Sequence, residues 1–177
     1  MNQITENQLN LIYPNSTKQN RDKYLPYLNQ YMEEYEINNA ERIAAFLAQI
    51  GHESAQLKYS EEIASGSAYE GRKDLGNVFS GDGKKYKGRG LIQITGRTNY
   101  QKLTDALGVD FINYPQLLKE PEYAVLSAFW YWKDRRLNLY STLKESDFKE
   151  LTRRINGGYN GYSDRLNLWN RAKQVLL

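Results

Sequence analysis

The chain has 177 residues, no cysteine, and 24 basic against 21 acidic side chains, a formal net charge of +3. That length suits a single domain over residues 1–177, able to bury a core without metal or disulfide staples. The absence of cysteine excludes a disulfide framework, thiolate metal ligation and a thiol nucleophile, and leaves the compartment open.

A short amphipathic start with Leu9, Leu11 and Ile12 ends at Pro14-Asn15-Ser16. Tyr24, Leu25, Tyr27, Leu28, Tyr31, Met32 and Tyr35 then recur at helical spacing, predicting a helix from Arg21 to Tyr35 whose tyrosines serve mainly as packing. Asn38 or Asn39 is placed to cap a helix beginning near Ala40, with Glu41 favourable in its first turn. From Ile43 to Ile50 that helix is apolar except at Gln49, the pattern of a rod buried on all sides.

The rod ends in His52-Glu53-Ser54, which places a carboxylate at its tip. Desolvation there favours the protonated acid, the state a general acid needs at neutral pH. A second pair, Glu61-Glu62, follows. On an unbroken helix Glu53 and Glu62 would stand about 13.5 Å apart, too far to flank one scissile bond. The helix is therefore expected to stop, with Gly51 and the polar run after it letting the chain turn back. His52, the single histidine, has no metal partners and no Ser or Cys motif beside it. It is expected to be a hydrogen-bonding residue beside the cleft that contacts substrate rather than a catalyst.

Residues 62–87 are polar and glycine-rich, the signature of a functional or disordered loop, and here a cleft wall. The stretch from Tyr86 to Gly96 lacks the Gly-Lys-Ser/Thr ending and the preceding strand of a phosphate loop. Leu91, Ile92 and Ile94 form a short buried run. If extended, it leaves Gln93 and Thr95 together on the other face, to orient a water or sugar hydroxyl or simply to face solvent from an edge strand. A helix from Asn99 stops at Gly108, and Pro121 opens a nearly all-apolar helix from Glu122 to Lys133, a second buried rod. Asp147 with Glu150 resembles a capping pair for a helix through Ile155 closed by Gly157-Gly158, and Ser163 or Asp164 can cap a final helix. The fold class is mainly α: one helical domain with a small β-hairpin or irregular glycine-rich region.

The His52-Glu53-Ser54 tip, Glu62 beyond it, GRGLIQITGRTNY at 88–100, SAFWYW at 127–132, and INGG at 155–158 followed by Asp164-Arg165 together resemble the family 19 glycoside hydrolases. Short loops make the likeness closest to the phage endolysin branch, and it runs from about residue 4 to the end. The resemblance implies a lysozyme-like core and cleavage of β-1,4 bonds in chitin or peptidoglycan by inversion. By position it makes Glu53 the general acid and Glu62 the general base. Gln93, Thr95 and Asn99 become polar cleft residues, with Thr95 holding the attacking water. Asn156 contacts substrate, Arg165 lies behind the active site among the substrate-binding set, and Tyr86 joins that set. Glu62 is expected to stay ionised near Arg165 or Lys58, while spacing alone leaves Glu61 open as the residue facing the cleft.

The expected substrate is peptidoglycan, cut as a muramidase cuts it, with chitin as the alternative and a non-catalytic wall-binding module as the rival from another class. No cofactor, metal, nucleic acid partner or membrane span is expected, and the chain is expected to act as a monomer. The basic run Lys84 to Arg89 is read as solvated surface. The opening MNQITENQLNLIYP has neither the basic nor the apolar region of a signal peptide. Synthesis in the cytoplasm is expected, followed by action on the cell wall after release by a holin, a secretion apparatus or lysis. An immunity partner is left open.

Overall fold

The structure, a computed structural model, describes residues 3–177. Eight α-helices follow one another: α1 Glu6–Ile12, α2 Lys18–Tyr31, α3 Ala40–Glu53, α4 Asp82–Lys85, α5 Arg97–Leu107, α6 Pro121–Asp134, α7 Glu145–Asn156 and α8 Tyr162–Leu176. Among the described residues no strand ladder forms. The middle of the chain holds only single antiparallel bridges, Glu61 with Arg89 and Arg89 with Ile94, so the glycine-rich region is irregular rather than a hairpin of any length.

Capping sets the first helices. Thr5 and Gln8 close a reciprocal capping box on α1, and Asn39 accepts from the Arg42 amide at the start of α3, which satisfies amides that the first turn leaves without partners. Helix α2 begins earlier than its tyrosine pattern suggested, because Thr17 caps it by accepting from the Asn20 amide. It also ends earlier, at Tyr31. The Tyr35 ring packs inward from a turn in which Glu36 is left-handed (φ 60°) and the Ile37 amide returns to the Met32 carbonyl at 2.9 Å.

Helices α3 and α6 are the two buried rods. Every residue of α3 from Ile43 to Gly51 is buried. Phe46 of α3 stacks on Phe129 of α6 with centroids 4.6 Å apart and meets Trp132 edge-on at 5.1 Å. Rings of this kind each remove roughly 150–250 Å² from water, worth several kcal/mol apiece at about 25 cal/mol per Å². Helix α8 lies along α3, and its Trp169 stacks on Phe148 of α7 at 4.5 Å. These contacts fix the ends of α3, α6 and α8 relative to one another, and the candidate site lies at those ends.

The break after α3 is not where the glycine suggested. The helix runs through Gly51, whose missing side chain is needed for packing: a Cβ there would fall 2.5 Å from the Tyr13 ring. The reversal comes from Ala55, Gln56 and Leu57, three consecutive non-glycine residues with φ of 50°, 56° and 70°. Such backbone costs about 1–2 kcal/mol per residue and persists only where surrounding bonds impose it. Here the Gln56 amide reaches the Gly51 carbonyl at 2.7 Å, and Ser54 Oγ both donates to Ile50 O and accepts from the Leu57 amide.

Later boundaries also shift slightly. Gly108 and Gly157 end α5 and α7 in left-handed conformation as expected, while α5 starts two residues before Asn99. Asp147 and Glu150 do not form a capping pair. Asp147 accepts from the Thr142 hydroxyl, and Glu150 pairs with Arg153 and Arg154 on the outside of α7. Gly161 rather than Ser163 or Asp164 precedes α8.

The loop from 62 to 87 is ordered by polar anchors, the exposed Glu70 and the buried Asp82. Glu70 accepts from the amides of Gly81 and Gly83 at 2.9 and 2.8 Å. Asp82 takes Arg97 Nε and Nη2 at 2.8 and 2.9 Å. Those Arg97 bonds, opposed by burial and helped by the Phe79 amide, hold the Asp82 carboxyl below its ordinary value of 3.8. Because the folded value is depressed, the pair contributes stability above the unfolded value and loses it as pH falls through the folded one. Asp82→Asn is therefore expected to lower the urea midpoint by a constant amount from about pH 7 to about pH 5, and the gap should close in acid below 3.8. A gap that persists unchanged in acid would show that the charge of Asp82 is immaterial.

Candidate active site

Glu53 is the last residue of α3, and Arg165 sits in the first turn of α8. Arg165 is 1% exposed and fans out to three acceptors: Glu53 Oε1 at 2.7 Å, Gln49 Oε1 at 2.7 Å and the Asn160 carbonyl at 3.1 Å. Gln49 Nε2 in turn donates to Thr152 Oγ1 on α7 at 3.0 Å. The tip of the buried rod is thus not simply dry. A planar guanidinium, itself held at both ends, fixes one oxygen of Glu53 and leaves Oε2 without a protein partner among the described residues. The Glu53 side chain keeps 19% of its surface in contact with solvent.

This placement corrects two expectations. Arg165 pairs with Glu53, not Glu62, and its burial keeps it from touching a polymer directly. Gln49, the one polar residue in the apolar run, is the missed member of the cluster. Its position one turn before Glu53 was the available signal, since residues four apart share a helix face. His52 Nδ1 lies 2.7 Å from Asp164 Oδ2, a second link between the same two helix ends alongside the Glu53–Arg165 pair.

Glu62 is held differently. Its Oε1 accepts from the Gly88 amide at 2.5 Å and its Oε2 from the Tyr69 hydroxyl at 3.0 Å, and the Glu62 amide bonds the Gly88 carbonyl at 2.9 Å. No Lys or Arg side chain forms an ion pair with this carboxylate among the described residues, so neither Lys58 nor Arg165 plays the part expected of it. Burial, and next the bond to Glu62, push the Tyr69 hydroxyl above its ordinary range. The neighbouring Glu61 turns to a cationic cluster: Arg89 Nε at 2.8 Å, Lys87 at 3.9 Å and Lys119 at 4.0 Å. Burial alone would raise the Glu61 carboxyl, but the Arg89 bond and the Lys119 and Lys87 charges outweigh it and hold that group low.

A groove of about 180 Å³ is lined by Gln93, Thr95, Asn99, Trp130, Tyr131 and Ile155 among others. Neither Glu53 nor Glu62 is part of its wall, yet each adjoins it. A Cβ built on Gly88 would lie 3.4 Å from Glu62 Oε1, 3.3 Å from Thr95 Oγ1 and 2.8 Å from Gln93 Oε1, which brings these three groups around one backbone position. The Tyr131 hydroxyl, raised chiefly by burial, feels the charges of Glu53 and Arg165.

Gln93 and Thr95 are not side by side on an extended strand. Gln93 is left-handed (φ 59°) in a tight turn closed by reciprocal Arg89 and Ile94 backbone bonds, and this turn presents both residues to the groove. Thr95 Oγ1 donates to Gln93 O at 3.1 Å and Asn99 Nδ2 to Thr95 O at 2.8 Å.

Four expected contacts fall outside the groove wall: His52 and Arg165, already placed, together with Tyr86 and Asn156. Tyr86 is fully buried, its hydroxyl donating to Ile112 O at 2.8 Å and its ring meeting Tyr100 edge-on. It is a core residue, and the substrate contact expected of it is corrected accordingly. Asn156, exposed at the end of α7, accepts from the Asn160 amide at 3.2 Å and so shapes the turn that supplies a carbonyl to Arg165. Trp130 and Tyr131 were missed as groove residues because α6 reads as apolar all round. Among the described residues no group of three or more His, Asp or Glu side chains could hold a metal ion, and no helix is long and apolar enough to cross a membrane.

The family described as chitinase class I matches residues 32–144. A glycosyl hydrolase family 19 domain-containing protein of Haemophilus influenzae is 32% identical over 203 residues, covering 97% of this chain and 96% of that protein. An endochitinase of Arabidopsis thaliana is 38% identical over 123 residues, covering 66% of this chain and 39% of its own. In three dimensions chitinase C of Streptomyces griseus aligns with a TM-score of 0.74 at 26% identity, over 98% of this chain and 76% of that one. A bacterial family 19 chitinase aligns with a TM-score of 0.76 at 25% identity, over 98% and 94%. A helical domain of this fold and ancestry is a glycoside hydrolase, with a polysaccharide as its substrate. The chain belongs to glycoside hydrolase family 19.

Proposed function

We propose that the protein cleaves the β-1,4 bond between N-acetylmuramic acid and N-acetylglucosamine in peptidoglycan, with Glu53 as general acid and Glu62 as general base. The observation that carries this is the unlike anchoring of two carboxylates, each close to residues that line one polar groove. With Arg165 on Oε1, Oε2 is the Glu53 oxygen left to pass a proton to the leaving glycosidic oxygen. Glu62, fixed by Gly88 and Tyr69, removes a proton from a water held beside Thr95. The Thr95 hydroxyl hydrogen is engaged by Gln93 O, so its oxygen is an acceptor for that water. Attack from the face opposite the leaving group inverts the anomeric centre. Glu61, committed to Arg89, is the poorer base, which favours Glu62 of the adjacent pair.

Support for peptidoglycan comes from the end-to-end match to a bacterial family 19 domain protein, whereas the plant endochitinase is matched over 39% of its length. Basic surplus also suits an anionic wall polymer. Chitin is the second reading, because the solved relatives are chitinases by name. The site of action under either wall reading is outside the cytoplasm, reached after release from the producing cell. Incubation with purified sacculi is expected to release muropeptides with new reducing N-acetylmuramic acid ends. Hydrolysis of chitin oligomers with sacculi left intact would overturn the substrate assignment.

A further inference from the structure

A second concavity, about 420 Å³, opens on the far side of the C-terminal end of α6. Trp130, Tyr131, Asp134 and Arg135 face the groove, whereas Trp132, Lys133 and Arg136 face this cavity, so one helix end, roughly 10–12 Å across, separates the two. Its charged lining is Arg42, Lys133 and Arg136 against a single carboxylate, Glu36, with the Glu34 charge acting nearby on Tyr35. Arg42 is committed to the Glu36 carbonyl and Asn38. Lys133 lies over the Tyr35 ring at 5.6 Å, and among the described residues neither it nor Arg136 pairs with a carboxylate.

The wall is built rather than incidental. Glu36 and Arg136, which both line it, are non-glycine residues in left-handed backbone, with φ of 60° and 53°. Asn138 ties Glu36 to Trp132 of α6, donating to the Glu36 carbonyl at 3.0 Å and accepting from the Trp132 indole at 3.0 Å. A wall tied in this way is pre-organised and loses little entropy on binding. Leu139, 68% exposed, supplies an apolar rim. The volume falls in the range of small-ligand sites.

We propose that this cavity is a second, non-catalytic binding site for a carboxylate carried on a methyl-bearing carbon: cations for the carboxylate, Leu139 and Tyr35 for the methyl group. Peptidoglycan presents that group as the terminal D-alanine of the stem peptide, and as the lactyl ether of muramic acid where the stem peptide has been removed. Identification of the polymer rests on the substrate reading above. Binding of the small acids does not.

The test is a titration of isotope-labelled protein followed by NMR, reading the Trp132 indole and the Arg136 and Asn138 amides. The ligands are N-acetylmuramic acid and N-acetyl-D-alanyl-D-alanine, with N-acetylglucosamine and lactamide as uncharged controls. At least one acid is expected to give saturable shifts with a midpoint of about 1 mM, and which one does so identifies the source. The midpoint should rise steeply with salt, as the screening length shortens from about 30 Å at 0.01 M to about 3 Å at 1 M. The variant K133Q/R136G removes both unpaired cations, and glycine accepts the backbone at 136 without strain. It is expected to weaken binding at least tenfold while leaving the thermal midpoint and hydrolysis of short glycans unchanged. Shifts absent for both acids, equal for the uncharged controls, or undiminished in the variant would overturn the proposal. Acid binding without sacculus cleavage would retain the site and remove only the substrate reading.

Discussion

Glu53→Gln is expected to lower turnover on the cleaved polysaccharide by about two to four orders of magnitude, the range for a lost general acid or base, with little change in the fold. The amide oxygen of Gln can still accept from Arg165, so the Thr152–Gln49–Arg165 chain of hydrogen bonds survives. What disappears is the carboxyl oxygen Oε2 through which a proton can be passed. Steady-state rates on sacculi and on chitin oligomers, with the thermal midpoint measured alongside, separate the chemical effect from a structural one. An unaffected rate would remove Glu53 from the mechanism, and full function in both this variant and Glu62→Gln would point instead to a non-catalytic wall-binding module.

Arg165→Leu should carry the largest stability cost of any single change at the site, about 3 kcal/mol, from leaving a buried pair without one partner. Three acceptors lose their donor together: Glu53 Oε1, Gln49 Oε1 and the Asn160 carbonyl. The partial exposure of Glu53 lets water reach it, which keeps the cost at the lower end for such pairs. Urea denaturation reads the loss as a lower midpoint at unchanged slope. The double variant with Glu53→Gln should recover roughly 0.5–3 kcal/mol of it, since a neutral amide suffers less than a carboxylate when its partner is gone. Strict additivity of the two changes would mean that the pair seen between α3 and α8 contributes nothing as a pair.

The rods α3 and α6 were legible because an apolar run on all faces of a helix leaves it nowhere to go but the interior, and α5 and α7 because a glycine past the last periodic residue marks a left-handed stop. Glu53 at the tip of the first rod followed from the same reading, as did the resemblance built on the motifs around it. Local pattern misled where tertiary bonds overruled it. Gly51 read as a hinge and is a packing contact with Tyr13, while the true reversal uses Ala55, Gln56 and Leu57, which no propensity would place in left-handed backbone.

Composition and periodicity alone determined a mainly helical, cysteine-free domain with two buried rods and acids near one rod's end. Only the folded chain decided that Arg165 serves Glu53 rather than Glu62, that Glu61 is spent on Arg89, and that Tyr86 belongs to the core. Those outcomes depend on which groups arrive from residues 26 to 112 positions away. Hydrogen bonds and ion pairs act over a few ångströms in space, and spacing along one segment carries no record of what packs against it.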